Sequence, residues 1–129
     1  MKPLREGEAF CRTFASSHEA AAPEFREGGL RLLTSQSLIF YLEQASCDAL
    51  LPYLDASEVS VGVGLDLAYL DFAAVGTPIE VLARITEVTR NKIVFAVEAR
   101  AGERKLVEGT HLRAVIPAAK LARKEESPG

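Results

Sequence analysis

The chain has 129 residues, 48% of them hydrophobic, with no Trp and only 7% aromatic. That length suits one domain with an aliphatic core, and the apolar fraction excludes a disordered chain. A net charge of −3 argues against nucleic acid, which demands a clustered positive surface. Cys11 and Cys47 make no disulfide framework, and His18 and His111 lie too far apart in sequence to suggest a metal site. The opening MKPLREGEAF lacks the apolar run of a signal peptide, and no apolar stretch approaches the roughly 18 residues of a membrane span. The expected location is the cytoplasm.

Residues 8–15 predict a short strand with Phe10 and Phe14 as its apolar members. Residues 16–30, rich in Ser, Ala, Glu and Gly with Pro23 among them, predict a loop with a short helical piece near His18 to Ala22. The one long helical pattern covers about residues 36–51, with apolar or small residues at Leu38, Ile39, Leu42, Ala45, Ser46, Ala49 and Leu50. Thr34 or Ser35 can cap its start, and Pro52 stops it. Few charges interrupt it, so it is expected to be buried on more than one side.

The period then changes from 3.6 to 2. Val59, Val61, Val63, Leu65, Leu67 and Tyr69 alternate with Ser60, Gly62, Gly64, Asp66 and Ala68, predicting one strand with Tyr69 on the Val59 side. Further strands follow around Ile79–Thr86, Ile93–Arg100 and residues 105–116, separated by turn signals at Gly76, Arg90-Asn91 and Ala101-Gly102. Gly62 and Gly64 do not make a phosphate loop and are read as a close approach to the helix or a bend in the sheet. The basic cluster from Lys120 to Lys124 runs directly into Glu125 and Glu126, so residues 119–129 are expected to form a flexible, solvated tail. Strand, loop, one buried helix and four consecutive strands make an α+β domain, an antiparallel sheet wrapped around one central helix.

Glu43 is the leading candidate for chemistry. Helical spacing sets it on a stripe with Ile39, Ser46 and Leu50. A carboxylate there needs a partner or a task, because desolvating a charge is costly. The bland alternatives are an exposed Glu at a subunit edge and an ion pair with Arg113. Ser35 is either a cap or a hydroxyl that orients water. Tyr69 is either a core aromatic or a hydrogen-bond donor, with Asp66 and Asp71 as flanking carboxylates. Arg113 pairs with an acid on an exposed sheet face or grips the substrate. His111 reads as a structural or surface histidine, and Cys47 as a buried structural thiol.

The segments LTSQSLIFYLEQASCDALLPYL, SVGVGLDLAYLDFAAVGTPIEVLARITEV and EGTHLRAVI, in this order across about residues 33–116, resemble the hotdog-fold thioesterases of the fluoroacetyl-coenzyme A type. The resemblance implies a hotdog fold, a homodimer with sites at the subunit interface, and coenzyme A thioesters as substrates. A tetramer or a carrier-protein thioester is also open, and no cofactor is implied beyond coenzyme A as part of the substrate. It carries catalytic expectations onto Ser35 and onto Glu43, eight residues later, and substrate contacts onto Thr34, Gly76 and Arg113. Where the family has His late on the strand after the helix, this chain has Tyr69. Tyr, with a reference pKa of about 10, is a poor base but a good donor to a carbonyl or a water. Three functions follow in order: a thioesterase, a non-hydrolytic binder of acyl thioesters or small apolar ligands, and a dehydratase or other lyase.

Overall fold

The computed structural model describes residues 1–17 and 31–126. The helical piece expected near His18 lies outside these residues. Five strands, β1 (Ala9–Ala15), β2 (Glu58–Tyr69), β3 (Pro78–Thr89), β4 (Lys92–Ala101) and β5 (Arg104–Pro117), form one antiparallel sheet in the order β1-β3-β4-β5-β2. Helix α1 (Ser35–Leu50) lies on one face. The core forms between them. Leu38, Tyr41, Leu42, Ala45 and Leu50 of α1 meet Val81, Ala83, Ile85, Ile93, Phe95, Val97 and Ala99, whose alternation along β3 and β4 turns each toward the helix. Phe14 of β1 closes this core by stacking on Tyr41, ring centroids 4.7 Å apart.

Thr34, extended at φ −76° and ψ 155°, is the cap: its hydroxyl accepts the Ser37 N–H at 3.1 Å. Ser35 is therefore the first helical residue and is exposed. Thr34→Ala leaves that N–H unsatisfied and is expected to cost about 1 kcal/mol in urea unfolding. Pro52 falls in a single 3₁₀ turn, Leu51–Tyr53, which carries the chain out of α1.

Strand β2 departs from the sequence reading. The alternation does not run unbroken: the register with β5 shifts between Gly62 and Gly64, leaving Val63 as an extra residue. Ser60 and Gly62 stand opposite Val115 and Arg113, on the helix side. After the bulge Leu65, Leu67 and Tyr69 take that side, opposite His111, Gly109 and Val107. Val59 and Val61 thus face away from Tyr69. The two glycines around Val63 were the only sequence signal of this phase change.

The sheet end beyond β5 also differs from expectation. Residues 119–126 continue a second helix, α2 (Ala118–Glu126), where a flexible tail was expected. Ala, Leu, Lys, Arg and Glu are strong helix formers, and the Ala118 N–H is anchored on the Ser57 carbonyl at 2.8 Å. No helix among the described residues is long and apolar enough to cross a membrane.

Candidate active site

Helix α1 and strand β5 bring three side chains around one glycine of β2. A Cβ built on Gly62 would lie 3.1 Å from Glu43 Oε2, 3.3 Å from His111 Cε1 and 3.5 Å from Arg113 Nη1. The absent side chain is what allows the cluster to close over β2. Gly62→Ala is expected to push the Glu43 carboxylate aside and lower kcat/KM about tenfold or more, with little change in the unfolding midpoint. Glu43 is half-buried and lines a cleft of about 420 Å³ with Gln36, Ile39, Phe40, Cys47 and Arg113.

His111, 2% exposed, is neither a surface residue nor a free base. Its Nδ1 is 2.9 Å from the Gly64 carbonyl, and its Nε2 is 3.1 Å from Arg113 Nη1. A carbonyl only accepts and a guanidinium only donates, so Nδ1 carries the proton and Nε2 the lone pair. The ring is neutral. Burial pushes its pKa below the usual histidine range, Arg113 adds to that, and the Gly64 carbonyl and Glu43 oppose it.

Arg113 is 6% exposed, correcting its expected place on an exposed face. Its Nε donates to the Ser60 hydroxyl and its Nη2 to the Ser60 carbonyl, both at 3.1 Å. With the His111 bond, all of these contacts are to neutral acceptors, and the expected ion pair with Glu43 is not among them. Cys47, expected as a buried structural thiol, is half-buried and lines the cleft, 3.8 Å from the Ser60 hydroxyl.

Other candidates lie elsewhere in the chain. Ser35 precedes Glu43 by two helical turns, about 12 Å along the axis. Tyr69, 49% exposed, stands opposite Val107, six strand positions from the Arg113 level where Gly62 pairs, which is about 20 Å. Both belong to the same end of the molecule. Helix α1 runs antiparallel to β2, since Cys47 meets Ser60 and Glu43 meets Gly62, while Leu33 bonds Ala73 just beyond Tyr69. Asp71 is held below the usual carboxylate range, first by the Phe72 N–H at 2.8 Å and then by Arg104, and Asp66 faces the outer side of the sheet. Gly76 has a turn role: its φ is +96° and its N–H is taken by the Ser16 hydroxyl at 2.7 Å. A larger groove of about 590 Å³ crosses that outer face near Asp66, Arg84, Glu98 and Glu108, and Glu43, Ser35, Tyr69, Thr34, Gly76 and Arg113 do not line it.

The model of one protein family, the fluoroacetyl-CoA-specific thioesterases (FlK), matches residues 17–119. The chain belongs to this family. It is 28% identical over 120 residues to the fluoroacetyl-CoA thioesterase of Streptantibioticus cattleyicolor, covering 88% of this chain and 86% of that protein. A solved structure of the fluoroacetyl-CoA thioesterase FlK superposes with a TM-score of 0.87 at 26% identity, over 98% of this chain and all of that one. A hot-dog-like protein of Thermanaerovibrio acidaminovorans matches in fold, with a TM-score of 0.84 at 18% identity over 96% and 93% of the two chains. The family member described here thus has the hotdog fold, with its leading candidate carboxylate in the helix-side cleft.

Proposed function

We propose that this protein is an acyl-CoA thioesterase whose complete site is shared between two copies of the chain. The observation that carries the reading is Glu43 lining an apolar-walled cleft beside Gly62, His111 and Arg113, in a chain of this family. Glu43 acts as general base: it takes a proton from a water, whose oxygen attacks the thioester carbonyl carbon. The coenzyme A thiolate leaves as the tetrahedral intermediate collapses. The alternative first step is attack by the carboxylate itself, which expels the coenzyme A thiolate and gives a mixed anhydride that water then hydrolyses to the free acid and the Glu43 carboxylate. The reaction needs no cofactor beyond the coenzyme A carried by the substrate.

The two ends of the candidate site motivate the dimer. Glu43 and Gly62 form one end, Thr34, Ser35 and Tyr69 the other. β2 is one of the sheet's two edge strands, long, with exposed Val63, Leu65 and Tyr69 along it and exposed Leu70 and Phe72 just beyond it. Such an edge is a template for pairing. Antiparallel pairing of β2 with its counterpart about a two-fold axis joins one end of each chain to the opposite end of its mate. With Val63 uncounted, the register that sets Gly62 opposite the partner's Tyr69 keeps both on the helix side, so the bulge is what makes them compatible. In that arrangement the Tyr69 hydroxyl donates to the thioester carbonyl and Ser35 orients the water. We place the protein in the cytoplasm, where acyl-CoA esters are made and used.

The test is purified protein against a panel of short-chain, halogenated and aryl acyl-CoA esters, following release of the thiol. Turnover of at least one ester is expected. Ligand-dependent thermal stabilisation with no thiol release would instead support the non-hydrolytic binder.

A further inference from the structure

The family reading leaves unexplained a buried histidine whose N–H and lone pair are both engaged within the protein, the one by the Gly64 carbonyl and the other by Arg113. Its surroundings define what it does. From β2 it faces the Gly64 carbonyl and Gly62, from β4 the apolar Phe95, from its own strand Arg113, and from α1 the Glu43 carboxylate. Glu43 and Arg113 are thus the charged groups that face it. We propose that His111 is a positioning residue, whose Nε2 lone pair, together with Ser60, fixes the Arg113 guanidinium at the wall of the acyl cleft. The proposal rests on the thioesterase reading only for its kinetic test.

The physical argument is one of capacity. An Arg buried without a bonded carboxylate holds its place through hydrogen bonds alone. Ser60 takes Nε and Nη2, and among the described residues only His111 takes Nη1. A neutral ring is the one state that can do this. Protonated, it would lose the acceptor and set a second cation 3.1 Å from the first. The depressed pKa agrees with this arrangement: the clamp is closed at neutral pH and opens only in acid.

The test uses His111→Gln and His111→Leu in the full-length protein. Gln can give an N–H to Gly64 and a carbonyl oxygen to Arg113 but does not titrate. His111→Gln is expected to keep kcat/KM within about threefold at pH 8 and to make its acid limb less steep, while His111→Leu loses about tenfold or more. In an Arg113→Ala background, His111→Leu is expected to cost nothing further, as for residues acting through one another. Equal losses in both backgrounds, or an unchanged acid limb in His111→Gln, would overturn the proposal.

A second measurement needs neither turnover nor the Leu variant. Side-chain ¹⁵N spectra of the wild type should show one protonated and one bare ring nitrogen on His111, and a protected Arg113 Nε–H that vanishes as His111 titrates in acid. An imidazolium at pH 7, or an Arg113 signal indifferent to that titration, would sink the idea even in an active enzyme. If no ester is hydrolysed but these spectra appear as expected, the clamp stands and the thioesterase reading falls.

Discussion

Glu43→Gln is expected to lower kcat/KM for the best acyl-CoA substrate by about 10²- to 10⁴-fold, the range associated with loss of a general base. Gln keeps the shape of the side chain and its place in the cleft but cannot take a proton from water. The side chain is half-buried and makes no hydrogen bond or ion pair among the described residues, so its loss should leave the fold intact. Steady-state kinetics beside urea unfolding separates the two effects. A residual rate within about threefold of wild type would remove Glu43 from the chemistry, because a general base typically contributes about 10²-fold or more.

Gly109→Ala is expected to have the largest effect on stability, about 3 kcal/mol, by a route unrelated to catalysis. Gly109 of β5 pairs with Leu67 of β2. An added Cβ would overlap the Asp66 carbonyl oxygen and lie 2.9 Å from the Asp66 carbonyl carbon and the Leu67 Cα. These are backbone atoms, so no rotamer change relieves the clash and the strands must part. Gly64→Ala is the control. There a Cβ meets only the Leu112 side chain, 3.4 Å away, which is ordinary contact. Urea midpoints that shift equally for both variants would show that the close approach of β2 and β5 is not what demands glycine at 109.

Much of this architecture was legible in the chain because its signals are local. The spacing of Leu38, Leu42, Ala45 and Leu50 specified a helix, and Ile93, Phe95, Val97 and Ala99 specified a strand with one buried face. Glu43 stood out because a carboxylate on such a stripe is unusual. What local periodicity did not carry were relations between distant segments. The bulge at Val63 is a property of how β2 pairs with β5, and it reversed the expected relation between Tyr69 and Val59. His111 and Arg113 share a face by their spacing of two, but their burial depends on β2 and α1 covering that face. Ser60, which holds two of the guanidinium's bonds, looked like any polar position in an alternating strand. The eight residues from Ser35 to Glu43 already implied about 12 Å along a helix, but how far Tyr69, on another element, stands from Glu43 was not legible in any spacing.

Those separated ends make the shared site the claim on which the account turns, and mixing two crippled variants tests it most directly. Glu43→Gln and the double variant Ser35→Ala/Tyr69→Ala should each be nearly inactive alone. Unfolded together and refolded as a mixture, they should regain about a quarter of wild-type activity, since half the dimers would be mixed and each would carry one intact site. Activity no higher than that of the two parents would contradict the account and place every catalytic group within a single chain.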